Sequence, residues 1–239
     1  SAARTVTVPA AGQAELTCTL RGRLAAGSYG HVAEARVAGD EEPYRTGSGT
    51  VAYEHVPPQR LYVPARTRVV AVPVTVPATL AVGYVPGVGD NVAPMLSQLG
   101  VPVTLLDPAT LDRADLSRFS TIVVGPRAYE AHPALAAANP RLHAFARRGG
   151  TLVVQYGQYE LTRPGMLPYP ITLARPAQRV TLEDAPVAAL PLPNGGAPRV
   201  LAAPNRIGAS DWDGWVQERA LYMPATADAA WTRVLRMHD

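Results

Sequence analysis

The sequence predicts a mixed α/β fold: an all-β N-terminal part, a small β-sandwich over residues 1–77, and then a doubly wound parallel sheet over residues 78–239. Three observations carry that expectation. Residues 1–77 alternate apolar and polar positions in period two and show no helical periodicity. A proline-rich stretch, PPQRLYVPAR at 57–66, reads as an extended connector. From residue 79 onward, short wholly apolar runs alternate with segments of period 3.6, the pattern of strands buried on both faces beneath crossover helices.

In chain order, the strands expected in the first part are RTVTV (4–8), AELTCTLR (14–21), HVAEARV (31–37), GTVAYEHV (49–56) and TRVVAVPVTV (67–76), separated by Gly, Pro and acidic turns. About five strands without intervening helices are most economically buried as two antiparallel sheets face to face.

In the second part, TLAVGYVP (79–86) reads as a buried strand. DNVAPMLSQLG (90–100) reads as a helix capped by Asp90, with Val92, Met95, Leu96 and Leu99 on one face and Gly100 at its end. VPVTLLD (101–107) is a second strand, LDRADLSRF (111–119) a short helix, and STIVVGP (120–126) a third strand. Asn139 caps a helix that has Pro140 in its first position, turns Leu142, Phe145 and Ala146 inward and stops at Gly149 and Gly150. TLVVQYG (151–157) is the fourth strand, and the proline-rich stretch RPGMLPYPITLARPAQRVTLEDAPVAALPLPNGG (163–196) has room for two short strands.

Composition narrows the chemistry. With 47% hydrophobic residues in 239, the chain can bury a sizeable core. No run reaches the ~18 apolar residues of a membrane span, and the opening SAARTVTV lacks the charged-then-apolar order of a signal peptide. Every basic residue is arginine, and a net charge of +3 spread without a cluster beyond Arg147 and Arg148 lacks the basic stripe that tracks a phosphate backbone. Nucleic acid is therefore not an expected partner. The single cysteine, Cys18, can form no disulfide within the chain and sits where a strand thiol would be buried.

Each catalytic motif that the chain suggests meets an objection. The turn VPGVGDN (85–91), with Asp107 at the end of the next strand, resembles a dinucleotide-binding turn. However, Val92 stands at the third glycine position, and Asp90 puts a negative charge where the pyrophosphate would bind. The five histidines, His31, His55, His132, His143 and His238, include no pair at metal-ligand spacing. After the fourth strand, where a nucleophile elbow belongs, the chain reads QYGQYE, so Tyr156 and Gly157 stand in place of Ser or Cys. Asp211 with Asp213, and Glu183 with Asp184, are acid pairs of the kind that turns and caps commonly carry. No cofactor, metal or catalytic residue is expected in this chain.

A ligand site is expected at the carboxyl ends of the parallel strands. Those ends carry Asp90 and Asn91, then Arg127, Tyr129 and Glu130, then Gln155 and Tyr156. The stretch SDWDGWVQERALYMP (210–224) adds Asp211, Trp212, Asp213, Gln217, Glu218 and Arg219, with Trp215 as its apolar anchor. Aromatic rings beside carboxylates, amides and a guanidinium suit a polyhydroxylated ligand, because rings stack on C–H faces while polar groups take hydroxyls. The same residues also suit a loop merely anchored to the sheet by Trp212, Trp215 and Arg219.

Taken in order, GYVPGVGDNVAPMLSQLGVPVTLLD, FSTIVVGPRAYEAHPALAAANPRLHAFARRGGTLVVQY and DWDGWVQERALYMP resemble the C-terminal region of large bacterial proteins of the PIG-L (LmbE-like) de-N-acetylase family. The resemblance is most specific over residues 80–156 and 205–224. It implies a β-sandwich followed by a flavodoxin-like domain of the class I glutamine amidotransferase-like or ThuA-like kind, the sandwich entered partway through and the α/β domain truncated near its end. It also implies an extracellular or periplasmic location and, as partner, a zinc-dependent deacetylase domain of the same polypeptide. The family's HPDD-type zinc motif is not matched, since His132 and Pro133 are not followed by acids, and the amidotransferase cysteine is likewise unmatched. The expectation is an accessory region, without catalysis of its own, that positions or binds carbohydrate. An independent hydrolase using acids of the 205–219 region and a purely structural module are the competing expectations.

Overall fold

The computed structural model describes residues 3–17, 22, 24–177, 187–213 and 221–237. The chain divides into two compact units, Ser1–Val74 and Thr75–Asp239. The whole is a mixed α/β structure in which small antiparallel strand pairs accompany one four-stranded parallel sheet.

In the first unit, β1 (Gly27–Val32) pairs antiparallel with β4 (Arg66–Ala71), and β2 (Thr46–Tyr53) pairs with β3 (Val56–Pro64). Residues 49–56, expected as one strand, instead contain a hairpin turn at Glu54 and His55, because Tyr53 faces Val56. The expected connector 57–66 is largely strand β3. Its prolines are tolerated because Pro57 and Pro58 fall at the register shift near Val51 and Tyr53, where the ladder asks for no donor. β4 stops at Ala71, two residues before Pro73, which has no N–H to give. Residues 3–17 carry alternation but no strand, since alternation without a pairing partner leaves the backbone unladdered. Among the described residues of this unit none is buried. Glu34 accepts from Arg36 at 2.7 Å and from Arg45 at 2.8 Å.

The second unit is built on β5 (Val82–Val85), β6 (Val103–Leu105), β7 (Thr121–Val124) and β8 (Thr151–Val154), all parallel in the order β6-β5-β7-β8. The chain winds from β5 to one side and then crosses to the other, so the order reverses between β5 and β7. Helix α1 (Val92–Gln98) covers one face, where Val82, Tyr84, Ala93, Val101 and Val123 form a cluster. Its inward stripe is Val92, Ala93 and Leu96, while Met95 and Leu99 point outward, so the expected face is rotated by one position.

The other face carries the larger core, centred on Val85, Ile122 and Val124. Onto it pack α2 (Ala128–Ala131), a 3-10 turn (Pro133–Ala138) and α3 (Asn139–Arg147), through Tyr129, Leu135, Leu142 and Phe145. Gly150 is required where α3 turns into β8, because a Cβ there would lie 2.3 Å from the Phe145 ring. The helix expected at 111–119 is absent. Asp107 instead accepts from the Ala109 N–H and Asp115 from the Ser117 N–H, local bonds that compete with helical ones. Leu111 and Leu116 nevertheless bury themselves in the core, so the apolar spacing is used without the helix.

Beyond β8 the chain adds β9 (Ile171–Leu173), β10 (Ala188–Ala189), β11 (Pro224–Ala227) and β12 (Leu235–Arg236), paired antiparallel as β9 with β11 and β10 with β12. Asn205 ties this region to the start of the unit, accepting from the Thr75 N–H at 2.7 Å and donating to the Thr75 carbonyl at 3.0 Å. Among the described residues no helix is long and apolar enough to cross a membrane.

Candidate functional site

The point where strand order reverses, between β5 and β7, is where a doubly wound sheet normally opens a ligand crevice. Here it is closed by backbone. The Val88 N–H donates to the Pro126 carbonyl at 2.8 Å and the Gly125 N–H to the Val85 carbonyl at 2.9 Å. A Cβ on Gly87 would lie 2.2 Å from the Pro126 oxygen, and one on Gly125 would lie 2.6 Å from the Gly87 nitrogen. The two turns can approach this closely only because both residues are glycine.

Asp90 occupies the turn that a ligand anion would otherwise fill. Its Oδ2 accepts from the Gly87 N–H at 2.9 Å, and its Oδ1 accepts from the Val92 N–H at 3.0 Å and the Tyr84 hydroxyl at 2.8 Å. Burial works against the charged carboxylate, but the bonds from Gly87, Tyr84 and Val92 outweigh it and hold the Asp90 carboxyl below its ordinary range. Burial first, then the hydrogen bond to Asp90 and its charge, push the Tyr84 phenol well upward. Asp90 is thus an internal anion, and its neighbour Asn91 is exposed without a capping bond.

The remaining expected site residues separate into two groups. Arg127, in left-handed backbone at φ 55°, forms a bidentate pair with Glu130 at 2.8 and 2.5 Å, so each holds the other charged. The Arg127 N–H donates to the Tyr156 carbonyl at 2.7 Å, which places the ends of β7 and β8 side by side. Tyr129 faces away from this edge: it is buried, and its hydroxyl donates to Asn139 Oδ1 at 2.7 Å. Asn139, expected as the cap of α3, is instead its first residue, is 2% exposed and donates from Nδ2 to the Gly165 carbonyl at 3.0 Å.

Gln155 and Tyr156 line a cavity of about 1100 Å³ beyond β8. Its walls come from α3, the end of β8, residues 161–169 and the β9–β11 pair. Four aromatic residues ring it, Tyr156, Tyr169, Tyr222 and Trp231. Tyr169 and Trp231 meet edge to face at 6.2 Å, and the Trp231 indole N–H donates to the Tyr169 carbonyl at 3.2 Å. Tyr222 stands 6.2 Å from Tyr156 and 5.0 Å, edge-on, from Tyr159, over whose ring the Arg175 guanidinium lies at 3.9 Å. Burial raises the Tyr156 phenol. These rings are mutually braced and the cavity is preformed, which favours binding because little side-chain freedom is left to lose.

Of the acidic stretch, Asp211 caps a 3-10 turn (Ala209–Trp212) by accepting from the Gly208 N–H at 2.6 Å. Trp212 is half-buried, Asp213 is exposed, and none of the three is among the residues lining the cavity. Gln217, Glu218, Arg219 and the anchor Trp215 lie outside the described residues, as do Cys18, Glu183, Asp184 and His238. Among the described residues no three of His, Cys, Asp and Glu gather as a metal site.

The cavity's aromatic wall was not visible from spacing. Trp231 and Tyr222 are brought to it by the pairing of β9 with β11, whose partners Leu173 and Pro224 are far apart in sequence. The one local signal was the scarcity of tryptophan: Trp231 is one of three. No family model, curated protein or solved structure matches the chain.

Proposed function

We propose that the chain is a non-catalytic accessory region of a larger bacterial polypeptide of the PIG-L de-N-acetylase kind, and that its second unit binds carbohydrate. In this reading the antiparallel pairs of residues 1–77 belong to a β-sandwich, and the parallel sheet belongs to a flavodoxin-like, amidotransferase-like domain. The strand order, second-first-third-fourth, supports the latter assignment.

The observation that carries the reading is the aromatic cavity beside Gln155. Braced tyrosine and tryptophan rings offer faces to sugar C–H groups, while Gln155, Thr162 and the tyrosine hydroxyls offer both donors and acceptors for sugar hydroxyls. The competing hydrolase reading loses support because Asp211 spends its carboxylate on Gly208 and neither Asp211 nor Asp213 lines the cavity.

Calorimetric titration of the chain with chitohexaose, beside a panel of other oligosaccharides, tests the proposal. Saturable binding that is lost in Trp231→Ala, with no acetate released and no stoichiometric zinc on metal analysis, is the expected result. Absence of binding across the panel would retire the carbohydrate reading, and zinc-dependent acetate release would retire the non-catalytic one.

A further inference from the structure

The cavity has one chemically distinct wall. His143 and Arg147 stand four residues apart on α3, a spacing that puts their Cβ atoms about 6 Å apart on one helix face, and both line the cavity. Every other described lining residue is neutral. Glu160 accepts from the Gln158 N–H at 2.8 Å and Asp228 from the Ala230 N–H at 2.8 Å, and neither lines the cavity. Among the described residues neither the His143 nor the Arg147 side chain has a hydrogen-bond or ion-pair partner. Helix polarity accounts for a cation in the last turn of α3. It does not account for both basic groups opening onto the same cavity with no described acid among its lining residues.

We infer that the cavity's ligand is an acidic glycan, one whose sugar rings stack on Trp231 and Tyr169 while a carboxylate or sulfate is taken by Arg147 and His143. The inference rests on the carbohydrate reading above and narrows it to a substrate class. Arg147 supplies a fork of donors suited to the two oxygens of a carboxylate, and His143 adds a second donor from the preceding turn. A neutral glycan would satisfy the rings and leave the fork unused.

The test compares two hexasaccharides that share N-acetylglucosamine but differ in charge: chitohexaose, which is neutral, and a hyaluronan hexamer, which carries a glucuronate in every repeat. Each is titrated calorimetrically into the full chain. Binding of the hyaluronan hexamer should be roughly tenfold tighter, the scale of one charge-assisted hydrogen bond. The preference should weaken with added salt, vanish in Arg147→Gln and persist in part in Arg147→Lys, which keeps the charge. Arg68→Gln, in the first unit, should leave it unchanged, and unaltered thermal melts show that each variant folds. Equal affinity for the two hexamers, or a preference that survives Arg147→Gln, overturns the inference while leaving carbohydrate binding intact. If neither hexamer binds and the wider panel is silent, the carbohydrate reading fails and the inference falls with it.

Discussion

Tyr84 donates its hydroxyl proton to Asp90 Oδ1 across 2.8 Å, joining the buried first parallel strand to the turn that follows it. Tyr84 is 1% exposed, and its hydroxyl's other contact is a long one, to Gln155 Oε1 at 3.5 Å. The same carboxylate takes the Gly87 and Val92 N–H groups, so one side chain satisfies three donors at the reversal point of the sheet.

Asp90→Ala should therefore cost about 2–4 kcal/mol, the scale of several orphaned donors. The pH dependence follows from the depressed folded pKa. The carboxylate's contribution is complete above its ordinary value of 3.8 and is lost as pH falls through the lower folded value. Urea unfolding between pH 2 and 7 should show wild type losing stability on acidification more steeply than Asp90→Asn. Parallel pH profiles would mean that the bonds contribute nothing.

Gly87→Ala should be among the most damaging small substitutions in the chain. Its Cβ would sit 2.2 Å from the Pro126 oxygen and 2.6 Å from the Pro126 nitrogen, and backbone cannot swing aside as a side chain can. A loss of about 2 kcal/mol or more is expected, measurable by thermal melts. Gly208→Ala is the control, since a Cβ there meets nothing within 4 Å.

Tyr129→Phe should cost about 1–2 kcal/mol by leaving Asn139 Oδ1 without its donor, and Asn139→Ala should cost more, because the Tyr129 hydroxyl and the Gly165 carbonyl both lose a partner. Burial pushes the Tyr129 phenol up to about 12. Its contribution is present below the ordinary value of 10.0 and is lost as pH rises toward the folded value. Alkaline unfolding should accordingly be shallower in Tyr129→Phe than in wild type.

Arg127 distinguishes backbone strain from surface charge. Its pair with Glu130 is partly exposed, at 36% and 42%, and solvent screens such pairs to a small contribution. Its φ of 55° costs a non-glycine residue about 1 kcal/mol. Arg127→Gly loses the pair and relieves the strain, so its stability should match wild type within about 0.5 kcal/mol, whereas Arg127→Ala keeps the strain and should be the less stable of the two by denaturant unfolding.

Local pattern carried the parallel sheet. The wholly apolar runs at 82–85, 121–124 and 151–154 are strands, and Gly149 and Gly150 end the helix before the last of them. Such features are legible because the two central strands, β5 and β7, are buried on both faces and so demand an unbroken apolar run, whereas edge strand β8 leaves Val153 exposed, and because a helix end demands a residue free to turn. The candidate site was half legible: Gln155 and Tyr156 do line a cavity, but Asp90 and Tyr129 are consumed by internal bonds.

Those reassignments belong to tertiary structure, since hydrogen-bond partners and pairing registers are properties of two distant segments and appear in neither alone. Nothing near Asn139 in sequence says that Tyr129 and Gly165 will converge on it and draw it inward. Nothing near Asp90 says that the Gly125–Pro126 turn will close the crevice against Gly87. Nothing near Trp231 places its ring against Tyr169 on the wall of the cavity. By itself the sequence determined which segments form the parallel strands, through their unbroken apolar runs. Which polar groups are left free to meet a ligand was decided only when the folded chain had satisfied its own donors and acceptors, because a buried polar group costs more unpaired than any local preference can repay.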